Sequence, residues 1–379
     1  MIQVPHSRRR FLQTALGTAA LLGAPGLLAA CGDDGDTDAD APAGSTGSTS
    51  SPSTATGASS TAAATTVPTE LVDISILEPF PLFLIFFAEV AALSGGYTER
   101  NGIDVDLQFA RSAPQALQQL AAGSVVACNN GPLGVVRAVA QEGAPFKMVA
   151  MTIQDTLYRL VSTPKRPLTG ARELPGRTVG FPTLGGNAED TFNILLRDAG
   201  VDPDDVQRVA VGNDAAALAL VDEGRIDCIF ATLEAAAAIR ASGMEANVVT
   251  FENANPLLGS GLVTTLDNLE PHRAGLVGWI RSLREVMTAI RDGDVIEELI
   301  PTVRAEWDLP QLDEPEKVIP IVQAYPEMWF SAGEENLLRH VPERWEAGME
   351  GFVKVGLADP GTDPTTFYTN DLWDEAVRG

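Results

Sequence analysis

The chain has 379 residues, 45% of them hydrophobic, which is long and apolar enough for two domains with cores of their own. Its formal net charge of −25 argues against a nucleic acid partner, because the phosphate backbone selects basic proteins. The three histidines show no metal-ligand spacing, so no zinc site is predicted, and no motif predicts a bound cofactor.

The N-terminus is typical of an export signal. Residues 7–13 read SRRRFLQ, a twin-arginine signature, and an apolar segment follows at residues 16–28. That segment is too short and too interrupted to span a membrane. Residues 1–30 are therefore predicted to be a signal peptide that is absent from the mature protein.

A cysteine follows this signal in a sequence, LAACG at residues 28–32, that resembles the lipobox of bacterial lipoproteins. The similarity implies that Cys31 is acylated and anchors the protein to the membrane from outside the cytoplasm. Residues 31–69 are rich in Ser, Thr, Ala and Gly, which predicts a disordered tether. The alternative is a disordered tail without lipid.

The folded part begins at residue 70 and alternates strands with helices. Strands are predicted at residues 71–77, 103–109, 125–128 and 146–151, and helices at residues 82–93, 113–122 and 133–141. This alternation predicts an α/β lobe with a mainly parallel sheet.

A second α/β region follows the same pattern. A strand at residues 177–181 leads through a glycine loop into a helix at residues 188–199, for which Asn187 is the predicted N-cap. After another helix, a strand at residues 226–230 runs into Thr232 and Glu234. In parallel sheets, ligands bind beyond the carboxyl ends of the strands, where the loop at residues 183–187 and residues 232–234 both lie.

The order of elements predicts two lobes joined by two hinge strands, at residues 158–163 and 261–265. A helix end, a glycine and a strand start occur together at residues 120–125 and again at residues 221–226. Two lobes of similar structure would produce this repetition. Lobe 1 is predicted to comprise residues 70–158 and 264–379, and lobe 2 residues 159–263. Helices are predicted in the C-terminal part at residues 273–291, 295–306, 315–324 and 334–355, followed by a tail at 368–377.

Four segments resemble extracytoplasmic substrate-binding proteins of ABC importers. They are LPGRTVGF at 174–181, RDAGVDPDD at 197–205, VAVG at 209–212 and LVDEGRID at 220–227. The branch that they resemble handles thiamine-type pyrimidines, alkanesulfonates, taurine and nitrate. The resemblance implies a periplasmic-binding-protein type II-like fold, in which two lobes close on a small molecule and deliver it to a membrane permease with its ATPase. We expect a monomer.

The resemblance also implies positions for the ligand site. They are Phe80, Asn129, Asn130, Thr152, Thr183, Gly186, Asn187, Thr232 and Glu234. Two positions depart from the family pattern, since Val126 replaces a frequent Asp and Ala235 replaces a frequent Pro.

Each site residue also has a purely structural alternative. The glycine loop could hold an anion on backbone N–H groups, although no Lys or Arg lies between residues 181 and 194, or it could be a tight turn only. Phe80 either stacks on a flat ligand or belongs to the core, and Asn129 with Asn130 either bind a polar ligand or form a turn. Glu234 either accepts hydrogen bonds from an amine or only complements a helix dipole. Together these residues favour a neutral or cationic heterocycle.

An enzyme on the same fold, such as a protein similar to pyrimidine-precursor synthases, is the alternative function. It requires a reactive set of residues, and no Ser-His-Asp, Cys-His or metal-binding combination can be assembled. Cys128 and Cys228 are predicted to be thiols in buried strands, without a disulfide. A receptor that serves a membrane sensor is a third possibility. We therefore expect a binding protein and not an enzyme.

Overall fold

Ten strands form two separate sheets in the part of the chain that the structure describes. The computed structural model describes residues 70–182, 184, 187–212, 215–251, 255–293, 295–354 and 356–378. The predicted signal peptide, Cys31 and the tether lie outside these residues. The strands are β1 (Val72–Glu78), β2 (Ile103–Phe109), β3 (Ala127–Asn130), β4 (Phe146–Ile153), β5 (Tyr158–Ser162), β6 (Thr178–Phe181), β7 (Gln207–Ala210), β8 (Cys228–Thr232), β9 (Asn247–Val249) and β10 (Ser260–Thr265).

Helices flank both sheets, and most of them follow the predicted order. They are α1 (Phe87–Ser94), α2 (Tyr97–Arg100), α3 (Ala113–Ala121), α4 (Pro132–Glu142), α5 (Asn187–Asp198), α6 (Ala215–Asp222), α7 (Leu233–Ala241), α8 (Arg273–Asp292), α9 (Ile296–Glu306), α10 (Pro315–Val322), α11 (Pro326–Trp329), α12 (Pro342–Lys354) and α13 (Asp371–Arg378). No helix in the described ranges is both long enough and apolar enough to cross a membrane.

The first sheet combines strands from both ends of the folded chain, in the order β2-β1-β3-β10-β4. Strand β1 pairs in parallel with β2 and β3, whereas β10 is antiparallel to both β3 and β4. Side chains alternate across β1, so that Ile76 contacts a core built around Trp279 of α8 and Leu77 a core built around Trp345 of α12. The C-terminal helices therefore cover both faces of this sheet.

The second sheet contains the middle of the chain in the order β7-β6-β8-β5-β9. Strands β6, β7 and β8 are parallel, while β5 runs antiparallel to β8 and β9. Helix α5 packs on one face, where Phe192 contacts Phe181 and Phe230 edge-on or tilted. Because the parallel strands β6 and β8 point the same way, the starts of α5 and α7, which follow them, lie at one edge.

Two predicted helices begin later than expected, and proline is the reason in both. The helix predicted at residues 82–93 starts at Phe87, after a 3-10 turn at Leu84–Phe86, because Pro79 and Pro81 lie in a run of bends at residues 79–82 that no helix can enter. The helix predicted at residues 334–355 is wrong in its first half. Leu338 has a left-handed backbone with φ of 65°, and Pro342 starts α12 because it lacks the N–H needed to continue an earlier helix.

The chain crosses between the sheets twice, after β4 and between β9 and β10. The strands predicted as hinges are β5 and β10, each of which belongs to a sheet at one end of a crossing. The Arg344 guanidinium on α12 donates to the carbonyl of Gln154 in the first crossing and lies 3.4 Å from the carbonyl oxygen of Pro256 in the second. One side chain thus bonds both crossings, while the exact lobe limits stay a prediction.

The two crossings also touch directly at Gly259. A Cβ atom at this position would lie 1.9 Å from the carbonyl oxygen of Ile153, a distance that only a backbone shift could relieve. Glycine is therefore required here for the close approach of two backbones.

We predict that Gly259→Ala destabilises the protein by about 1–3 kcal/mol or more, because the added methyl group forces the crossings apart. Urea unfolding monitored by tryptophan fluorescence measures the change. Gly170→Ala is the matched control, since its φ of 169° is extended and its Cβ would meet nothing within 4 Å. Equal stability of the two variants would contradict the prediction.

Candidate ligand-binding site

A buried polar cluster lies at the strand ends of the first sheet. Glu78 ends β1 and is completely buried, and the Asn129 side-chain N–H₂ of the neighbouring β3 lies 2.9 Å from each of its carboxylate oxygens. The Thr152 hydroxyl lies 3.3 Å from the side-chain oxygen of Asn129 and 3.2 Å from the carbonyl oxygen of Ser260. Asn129 and Thr152, both predicted site residues, are thus brought together around an acid that the sequence had not indicated.

Asn130 has a different role from Asn129. Its side-chain N–H₂ donates to the carbonyl of Ala113 at 2.8 Å, and its side-chain oxygen lies close to Gly134. The successive side chains of β3 point to opposite faces of the sheet, so only one of the two asparagines reaches the Glu78 cluster. Asn130 instead holds the start of α3, although its assignment to the ligand site stays untested.

A second buried acid, Glu89, lies near this cluster in the first turn of α1. It is 5% exposed, and its Oε2 atom has no hydrogen-bond partner in the described structure. Burial raises the pKa of Glu89 to about 7. Burial also raises the pKa of Glu78 well above its usual range, and the charge of Glu89 adds to this rise while Asn129 opposes it.

Sequence reasoning missed Glu89, yet a local signal exists. The segment at residues 86–92 reads FFAEVAA, and a single acid within such an apolar helix must either face a pocket or be buried. Helix α1 buries Phe87, Ala88, Val90 and Ala91 on all sides, so the acid is buried with them.

The second lobe contributes Thr232 and Glu234 at the start of α7. The Thr232 hydroxyl caps the helix by accepting the Ala235 N–H at 3.3 Å, and Glu234 is the acid of its first turn. The fully buried Tyr325 donates its hydroxyl to Glu234 Oε1 at 2.5 Å. Because Tyr325 lies just before α11 and belongs to the core of the first sheet, this bond connects the two lobes.

The Tyr325 hydroxyl is near the acids of both lobes. Its pKa lies well above the usual range, and burial is the largest cause. The charge of Glu234 and the hydrogen bond to it raise the pKa further, and the charge of Glu89 adds a smaller rise. Burial raises the pKa of Glu234, and the hydrogen bond from Tyr325 opposes that rise. The charge of Glu89 thus acts on both Glu78 and Tyr325, and Tyr325 bonds directly to Glu234.

The other predicted residues are placed as follows. Phe80 is half-buried, two residues after Glu78, whereas Phe86 and Phe87 are core residues. Thr183 and Gly186 lie outside the described residues. Helix α5 begins at Asn187 itself, and nothing of that side chain is described.

The acids of the cluster are not balanced by basic side chains. Within the described residues, no Lys, Arg or His forms an ion pair with Glu78, Glu89 or Glu234, whereas Arg208 pairs with Glu189 of α5 at 3.4 Å. No group of three potential metal ligands occurs in the same part of the chain. The acids therefore present acceptors with no protein cation to match them.

An open groove of about 520 Å³ beside α12 contains none of these residues.

The family relationship rests on a sequence match that covers slightly more than half of the chain. Residues 86–287 match the model of the family described as NMT1/THI5 like. The chain belongs to the NMT1/THI5-like family. A curated relative, the formylaminopyrimidine-binding protein of Halalkalibacterium halodurans, is 26% identical over 141 residues. That alignment covers 37% of this chain and 42% of the relative, so the chain matches less than half of the relative's length.

Solved structures show the same fold. The periplasmic aliphatic sulphonate binding protein SsuA from Escherichia coli has a TM-score of 0.56 and 18% identity, with 78% of this chain and 91% of that chain covered. The periplasmic nitrate-binding protein NrtA from Synechocystis PCC 6803 has a TM-score of 0.54 and 12% identity, with 82% and 89% covered. The predicted two-lobed, periplasmic-binding-protein type II-like fold is confirmed.

The pKa of Glu89 makes stability depend on pH. Its pKa is about 7 in the folded protein against an ordinary value of 4.5, so between these values the folded chain binds the extra proton. The contribution of Glu89 to the free energy of unfolding therefore falls as pH rises through this window.

We predict that Glu89→Gln, which cannot ionise, gains stability relative to the wild type over that window, by about 3 kcal/mol at pH 8 and nearly nothing at pH 4.5. Urea unfolding of both proteins at several pH values measures the difference. Glu298→Gln, an exposed acid on α9, is the control for the loss of one carboxylate. A flat profile for Glu89→Gln would show that Glu89 titrates normally.

Proposed function

We propose that the protein is an extracytoplasmic receptor of an ABC transporter, which closes two lobes on a small organic solute and delivers it to a membrane permease with its ATPase. The family membership and the fold support this role. The observation that carries it is the hydrogen bond from Tyr325, in the core of the first sheet, to Glu234, which lies just beyond the carboxyl end of β8, where ligands bind in α/β sheets. Closure of the lobes would bury a solute between them.

The proposed solute is a pyrimidine-like or thiamine-like heterocycle. Glu234 and Asn129 offer hydrogen-bond acceptors, and the half-buried ring of Phe80 offers a stacking surface. The formylaminopyrimidine-binding relative supports the same class. A sulfonate, taurine or nitrate is the second candidate class, because SsuA and NrtA share the fold.

Binding rather than catalysis is proposed because the reactive residue types lie in cores. Cys128 and Cys228 are buried free thiols, and burial raises the pKa of both, that of Cys228 to about 12. His340 is buried against Trp345, whose indole N–H donates to it at 3.1 Å, and burial lowers the pKa of His340 to about 3. These groups stabilise structure where they lie.

We propose that the protein is exported through the twin-arginine signal, is anchored by Cys31, and acts as a monomer without a cofactor. The lobe limits proposed for it are residues 70–158 and 264–379 for lobe 1, and 159–263 for lobe 2. The sequence at residues 7–13 and 28–32 is the support for export and anchoring.

The receptor function is tested by a thermal-shift screen of the full-length protein. The panel contains pyrimidines, thiamine, riboflavin, sulfonates, nitrate, bicarbonate and aromatic acids. A solute at a hundred times its dissociation constant should add about 2.7 kcal/mol of stability and be recovered unchanged. Consumption of the solute would indicate an enzyme instead.

We predict that Glu234→Gln weakens binding of the solute identified in that screen about tenfold or more, because a charged acceptor is lost. Isothermal titration calorimetry measures the affinity. Glu245→Gln, an exposed acid of the same lobe, should leave it unchanged. Unaltered affinity of Glu234→Gln would remove this residue from the site.

The lipid anchor has its own test. Cys31→Ser should move the protein from the membrane fraction to the soluble fraction of cells, because the acylated thioether can no longer form. Cys228→Ser is the control for loss of a thiol and should leave the protein membrane-bound. Retention of the Cys31→Ser protein on membranes would contradict lipidation at this residue.

A further inference from the structure

We propose that Glu78 and Glu89 form a cation-binding subsite in lobe 1, which takes the amino-bearing or amidinium-like edge of the solute. The inference rests on the proposed receptor function and specifies the chemistry of its ligand. It also assigns two residues that the sequence motifs did not indicate.

The carboxylate of Glu78 is held in place before any ligand arrives. The Asn129 side-chain N–H₂ contacts both of its oxygens at 2.9 Å, and the orientation of Asn129 is set in turn by the Thr152 hydroxyl. Each carboxylate oxygen has two lone pairs, so the contact with Asn129 leaves further acceptor capacity on Glu78. An acid fixed in this way suits a ligand with directional donors.

Glu89 supplies the observation that points to a ligand. Its Oε2 atom is buried without a hydrogen-bond partner, in a side chain that is 5% exposed. An unsatisfied buried acceptor is costly, and much more so when it is charged. Glu89 lies close enough to both Glu78 and Tyr325 for its charge to raise the pKa of each. The unpartnered oxygen therefore belongs to an acid whose charge acts on both Glu78 and Tyr325, and it lacks a donor.

The surroundings supply no protein cation. The titratable groups next to the pair are Tyr325 before α11 and Cys128 on β3, and neither is a cation. Tyr325 in turn donates to the acid Glu234 on α7. No ion pair involves Glu78 or Glu89 within the part of the chain that the structure describes. Without a ligand, two acids so placed retain a proton, which a cation would displace.

These features select a planar cation with several N–H donors. Amidinium, guanidinium and protonated aminopyrimidine groups match carboxylates with two parallel hydrogen bonds. Sulfonate and nitrate carry acceptors and negative charge, so the buried acids would repel them. The proposed ligand is therefore opposite in charge to those named for SsuA and NrtA.

Isothermal titration calorimetry on the full-length protein at pH 7.5 tests the subsite. The probes are 2,4-diaminopyrimidine and benzamidine, with unsubstituted pyrimidine, methanesulfonate and nitrate as matched comparisons. The amino and amidino compounds should bind, and Glu78→Gln and Glu89→Gln should each weaken that binding at least tenfold. Glu298→Gln, an exposed acid of the same lobe, should bind as the wild type does. Circular dichroism verifies that each variant is folded.

Proton release gives a readout that a merely structural role would not change. Benzamidine is a permanent cation at pH 7.5, so its binding should release protons from the acid pair, seen as a binding enthalpy that differs between buffers of different ionisation enthalpy. Glu78→Gln and Glu89→Gln should each reduce this difference, because each removes one acid of the pair.

Several outcomes would overturn the subsite. Binding of unsubstituted pyrimidine that is as tight as that of the diamino compound would do so, as would insensitivity to both Gln variants. Failure of both the amine and the amidine to bind would overturn it as well. If methanesulfonate or nitrate binds instead, the subsite is wrong while the receptor function stands. The receptor function fails separately, if the broad solute panel also gives no stabilisation.

Discussion

The insertion of β10 between β3 and β4 is the constraint on which the rest of the molecule depends. Strand β10 begins more than a hundred residues after β4 starts, yet it supplies the hydrogen bonds that close the first sheet. A Cβ at Gly261 would lie 2.4 Å from the carbonyl oxygen of Ala150, so the strand fits only as glycine at that point. The whole second sheet must therefore be an excursion that leaves the first sheet and returns to it.

This topology explains why the site is built from distant residues. The return of β10 places the Ser260 carbonyl beside Thr152, and Thr152 in turn contacts Asn129. The C-terminal helices that follow β10 then pack over the same sheet and bring Tyr325 to Glu234. Polar groups that are far apart in the sequence become neighbours as a result.

The buried acids show a conflict between stability and binding. Two carboxyl groups in an apolar environment, without a cation, destabilise the folded chain relative to apolar residues of similar size. Glu89 even retains an unpartnered oxygen, which a core selected for stability alone would not contain. Such a residue is understandable where a ligand completes the arrangement.

The fold was accessible from the sequence because its signals are local. Alternating strands and helices with capping glycines predicted both sheets, and the loop segments indicated the family. The predicted residues Asn129 and Thr152 do meet, since parallel strands end at one edge. Proline effects at Pro342 and contacts across long sequence separations were not accessible in the same way. Tyr325 became visible as a site residue only through packing, because its partner Glu234 is 91 residues away. Glu89 carries a local signal as a single acid in an apolar helix, but its neighbour Glu78 lies in another element.

Arg344 has a mechanical consequence. Its guanidinium bonds both interlobe crossings, and Gly259 presses the second crossing against the first. Because the two crossings contact each other and share the bonds of Arg344, neither can change its conformation independently of the other. The two crossings therefore act as one connection between the lobes, held together from the side of α12.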